Sequence, residues 1–78
     1  MVSEAFEFEF RGEYVRSGTR LRFKNDRKVY RFRSLFYDSV FNEEWVEVLD
    51  GSGRIKRFHP SKIRSVVINK KSRRGKEN

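Results

Sequence analysis

Arg20-Leu21-Arg22-Phe23 and Lys28-Val29-Tyr30-Arg31-Phe32-Arg33 decide the fold class. In both stretches polar and apolar side chains alternate with a period of two, which marks half-buried strands and not helices. Lys24-Asn25-Asp26-Arg27 between them holds two turn formers, so the pair reads as an antiparallel hairpin. Downstream, Trp45-Val46-Glu47-Val48-Leu49 forms a third strand and Arg54-Ile55-Lys56-Arg57-Phe58 a fourth, joined by the turn Asp50-Gly51-Ser52-Gly53. The parity break between Ile55 and Phe58 predicts a bulge or a strand end near Lys56–Arg57. Pro60 has no amide to donate to a ladder, so Pro60–Ile63 is expected as a 3₁₀ turn before a short closing strand, Ser65-Val66-Val67-Ile68.

Upstream, Phe6-Glu7-Phe8-Glu9-Phe10 alternates perfectly and is expected as an added edge strand with Glu7 and Glu9 facing basic residues of a neighbour. Tyr14-Val15 is placed at the barrel entrance, and Ser34 to Glu43 as a long connection folded over the core. The division that follows is an N-terminal extension over 1–14, a barrel over 15–68 and a disordered basic tail over 69–78. Inward positions are Leu21, Phe23, Tyr30, Phe32, Val46, Val48, Ile55, Phe58, Ile63 and Val66. The expected architecture is therefore all-β: a small five-stranded barrel with one 3₁₀ turn.

The chain has 78 residues, room for one small domain. It has no cysteine, which excludes disulfides and thiolate chemistry. Aromatic residues reach 15%, too many for a disordered chain. No apolar run exceeds three residues, so the sequence carries neither a membrane helix nor a leader, and a cytoplasmic location is expected.

The segment order resembles the SH3-like barrels in their Tudor and KOW-type forms. Gly18 to Phe23 stands as the first strand, Asp50-Gly51-Ser52-Gly53 as the distal-type hairpin turn, and Phe58 to Ile63 as the 3₁₀ turn before the last strand. The resemblance covers residues 15–68 and is architectural, with no diagnostic residue. It departs from signalling SH3 domains in lacking the acidic loop and aromatic groove that read Pro-rich peptides. Small basic chains of this type look like bacteriophage or bacterial accessory proteins.

Enzyme chemistry finds little support. His59 is the only imidazole, so a metal or cofactor site is not expected. Gly51-Ser52-Gly53 precedes a strand and not a helix, which is wrong for a phosphate loop. His59 and Ser61 are close in sequence, but near neighbours on a strand seldom face one another.

Charge points further. The net charge is +8, unevenly spread. Residues 34–53 carry Asp38, Glu43, Glu44, Glu47 and Asp50 with no base, whereas residues 11–33 hold nine basic and two acidic groups. Strand parity puts Arg20, Arg22, Arg31 and Arg33 on the outer face of one hairpin, with Lys24, Arg27 and Lys28 at its tip; such a face repels itself unless an anion or a carboxylate offsets it. Arginine suits bidentate phosphate contacts. Trp45, at outward parity, is either a base-stacking platform or a packed side chain. Lys56, Arg57, and Lys70, Lys71, Arg73 and Arg74 of the tail complete the candidate set. The expected function is a non-enzymatic accessory module that contacts the backbone of DNA or RNA. The alternative is a protein-interaction or self-assembling module, in which the acidic segment meets the arginine face of another copy.

Overall fold

In a computed structural model, described here for residues 1–68, the chain is all-β with a single 3₁₀ turn. The strands are β1 (Val2–Ala5), β2 (Glu7–Phe10), β3 (Glu13–Arg16), β4 (Arg20–Phe23), β5 (Val29–Asp38), β6 (Glu43–Leu49), β7 (Ile55–Phe58) and β8 (Ile63–Val66). The 3₁₀ turn spans Pro60–Lys62. The expected tail, with Lys70, Lys71, Arg73 and Arg74, lies outside the described residues.

Alternation in β4 and β5 drives Leu21, Phe23, Tyr30 and Phe32 inward, where each is at most 1% exposed. Val46, Val48, Ile63 and Val15 close the core. At one end Phe23 stacks on Phe58 with ring centroids 4.0 Å apart, and Tyr30 meets both rings edge-on.

The main sheet runs β7-β6-β5-β4-β8, with β1 paired to the far end of β5. It does not close into the expected barrel, because β7 and β8 end the path without pairing. Both are four residues long, and Pro60 turns the chain away between them. The core is completed instead by the β2–β3 hairpin, a separate two-stranded sheet. From it Val15 is fully buried, Phe8 and Phe10 pack on the core, and Phe8 meets Phe32 edge-on at 5.3 Å.

The expected single N-terminal edge strand is thus two elements. β1 pairs β5, and β2 pairs β3 through a turn at Arg11-Gly12, where both residues have positive φ. Glu7 does face Arg16, but Phe6 is 60% exposed and does not share the burial of Phe8 and Phe10. The proposed boundary between residues 14 and 15 falls inside β3.

Further expectations are corrected. Ser34 to Glu43 is not a long connection: β5 continues to Asp38 and a short turn leads into β6. The β5–β6 register shifts at Arg33, while no bulge interrupts Lys56–Arg57: β6 and β7 pair without interruption until β7 ends at Phe58. That unbroken register, anchored by the stacked Phe58, places Lys56 on the core side and Ile55 on the outer face, 49% exposed. The last strand lies two residues earlier than expected, starting at Ile63, because Ile63 fills the core opposite Phe23.

Candidate nucleic-acid interface

Because Leu21, Phe23, Tyr30 and Phe32 point inward, the intervening Arg20, Arg22 and Arg31 point out. Arg20 lies directly opposite Arg31. Arg22 lies opposite Val29 on one side and Ser65 on the other. Like charges directly opposite each other on a sheet destabilise it unless something offsets them.

The turn leaving β4 adds to this surface. Asn25 takes the left-handed conformation (φ 62°) that Asn tolerates well. Asp26 organises the rest: its Oδ1 accepts the Lys28 amide at 2.9 Å and its Oδ2 accepts the Tyr30 hydroxyl at 2.8 Å. These two hydrogen bonds hold its carboxyl below the usual range, the Lys28 amide contributing most. Burial, reinforced by this bond, pushes the Tyr30 hydroxyl up to about 12. Arg64 stands where the β4–β8 register shifts, and with Arg22, Asn25, Asp26 and Arg27 it lines a shallow hollow. Arg27, expected at the hairpin tip, thus belongs to this surface, and Arg64 joins it although strand parity alone does not single it out.

Arg33 and Arg57 are engaged elsewhere. Glu47 is 6% exposed, flanked in sequence by the core residues Val46 and Val48 but facing the other way. A carboxylate this buried needs partners. Arg57, opposite it on β7, brings Nε to 3.1 Å from Oε2; Arg33, at the β5 irregularity, brings Nε to 3.8 Å from Oε1. The expected four-arginine face is therefore Arg20, Arg22 and Arg31, with Arg33 drawn off to a carboxylate.

The other expected residues disperse. Lys24 is exposed beside the hollow, its amide donating to the Lys62 carbonyl. Lys56 places Nζ 5.9 Å from the Tyr30 and Phe58 rings, on the opposite side from the arginines. Trp45 is half-buried and stacked on Phe36 at 5.4 Å, four residues along β6 from Leu49, which pairs with Arg31. The groove at Trp45 is lined by Glu43 and Glu44 with Asn42, Arg57, Phe58 and His59, and those two carboxylates disfavour a phosphate there.

His59 and Ser61 do meet, against expectation, because His59 caps a 3₁₀ turn that contains Ser61, and the two do not lie on a strand. His59 Nδ1 accepts the Ser61 amide at 3.1 Å and lies 2.8 Å from the Ser61 hydroxyl. The ring caps the turn through that nitrogen.

The family model described as Domain of unknown function (DUF7246) matches residues 1–78, and the chain belongs to that family. No curated protein and no solved structure matches the chain.

Proposed function

We propose that this member of the DUF7246 family is a non-enzymatic module that binds the phosphate backbone of DNA or RNA. The observation that carries the reading is the outer face of β4, β5 and β8, where Arg20, Arg22 and Arg31 are joined by Arg27 and Arg64. Among the described residues, the two ion pairs both go to Glu47, and neither involves any of these five arginines. Asp26, the acidic group lining the hollow, already accepts two hydrogen bonds. A bound phosphate backbone supplies the missing anions and relieves the Arg20–Arg31 opposition. The surface is a sheet face, and among the described residues there is no α-helix to enter a groove, so contacts to phosphate dominate and base discrimination is slight. The basic residues of 69–78 add sequence-independent attraction.

The test is binding of a fluorescent oligonucleotide across a salt series. About six phosphate contacts give a slope of log K against log salt near −5 on duplex and −4 on single strands. Arg20→Glu with Arg31→Glu is expected to weaken binding at least tenfold and flatten the slope. Unchanged affinity in that variant, or no binding by the unmodified chain at about 50 mM salt, where counterion release is still strongly favourable, overturns the reading.

A further inference from the structure

The molecule extends 52 Å in its longest direction against 23 and 20 Å in the others, and β5 carries opposite characters at its two ends. At its start, Arg31 belongs to a cross-strand row on the outer face: Ile55, Leu49, Arg31 and Arg20, one from each of β7, β6, β5 and β4. One half of this row is apolar and the other cationic. At its end, β5 runs between β1 and the first residues of β6 as a three-stranded arm. In the arm Asp38 pairs with both Val2 and Glu43, and Tyr37 pairs with Glu44. Residues 1–5 and 35–46, which build the arm, contain Glu4, Asp38, Glu43 and Glu44 and no lysine or arginine.

The tip of this arm is also apolar. Val40 is 70% and Phe41 72% exposed, with Val2 beside them on the strand that pairs Asp38. Their positions are fixed: Asp38 Oδ1 accepts the amides of Val40 and Phe41, and the Ser39 amide donates to the Met1 carbonyl. Large apolar side chains held rigidly in solvent mark an interaction surface.

We infer that the acidic, apolar arm docks on the Ile55–Leu49–Arg31–Arg20 row of a second copy of this chain, in a head-to-tail contact. The two surfaces match in both respects, apolar against apolar and carboxylate against guanidinium. They cannot meet within one molecule. Arg31 and Asp38 are seven residues apart on one continuous strand, which holds them about 23 Å apart. A contact between unlike patches leaves one arm and one row free on every dimer, so association continues into rings or open chains. Nucleic acid and the arm compete for Arg20 and Arg31, but the contact does not depend on nucleic-acid binding.

The test is sedimentation velocity on nuclease-treated protein across a wide concentration range at about 50 mM salt, where charges interact beyond 10 Å. The unmodified chain is expected to grow past the dimer with concentration and to dissociate at about 1 M salt, where screening shortens to about 3 Å. An arm variant (Phe41→Ser, Glu43→Gln, Glu44→Gln) and a row variant (Arg20→Glu, Arg31→Glu) are each expected to stay monomeric alone. Mixed in equal amounts they are expected to form a one-to-one dimer that grows no further. That rescue also shows that both variants are folded. A strictly monomeric unmodified chain, a dimer that survives the row variant, or a mixture that stays monomeric overturns the inference. Nucleic-acid binding by the arm variant is expected to be undiminished, so the two readings fail separately.

Discussion

At its start β5 lies between β4 and β6, with Tyr30 buried against Phe23 and Phe58, and Phe32 against Phe8 of the β2–β3 hairpin. At its end it lies between β1 and β6, where Leu35 and Phe36 are half-buried and Tyr37 is exposed. Hydrogen-bonded pairing is continuous across both regions apart from the shift at Arg33. What separates them is the second layer: Phe8, Phe10, Val15, Phe58 and Ile63 pack over the body, and among the described residues nothing comparable covers the arm. Backbone pairing therefore builds the length of the sheet, while side-chain packing decides which part carries the stability. The arm holds exposed apolar and acidic groups and is suited to contacts with other molecules.

The comparison breaks most easily at the core. Phe23→Ala removes a fully buried ring stacked on Phe58 and is expected to cost about 3–5 kcal/mol, enough to abolish cooperative thermal unfolding in so small a domain. Glu47→Gln keeps the shape but not the charge that holds Arg33 and Arg57. It is expected to cost about 1–2 kcal/mol in denaturant unfolding. It also releases two guanidinium groups, so oligonucleotide affinity is expected to rise, where a merely destabilising change would leave it level or lower it.

Acid tests one aspartate-organised turn. In the body, Asp50 Oδ1 accepts the amides of Ser52 and Arg54 and the Ser52 hydroxyl. These bonds, the Arg54 amide foremost, push its carboxyl down to about 2. A carboxyl depressed on folding adds stability above its unfolded value near 4, and that stability is lost as pH falls toward 2. Thermal melts are expected to show a loss over this window that Asp50→Asn reduces. At the arm tip, Phe41→Ser is expected to change stability by no more than about 0.5 kcal/mol, since the ring is largely in solvent. A larger loss there would mean that the arm belongs to the core.

The strands of the body were readable because one face of each is buried. Alternation in Arg20–Phe23 and Tyr30–Phe32 follows directly from that asymmetry, and it also assigns Arg20, Arg22 and Arg31 to one surface. The arm resists the same reading. Leu35-Phe36-Tyr37 is apolar on both faces, and Val2–Ala5 is short and exposed throughout, so neither shows a period. The β2–β3 turn was obscured because Arg11 adopts a positive φ that its side chain does not announce. Ile55 misled because strand parity is set by whichever residue packs best, and here that is Phe58. Glu47 was visible as a lone acid between two valines, but only the shift at Arg33 shows which arginines it withdraws from the surface.

Titrating an isotope-labelled sample with a short oligonucleotide and following amide and arginine side-chain resonances tests the central claim most directly. The account predicts the largest shifts at Arg20, Arg22, Arg31 and Arg64, with Trp45 unmoved. Shifts centred on Trp45, or none at about 50 mM salt, where phosphate contacts are strongest, would contradict it.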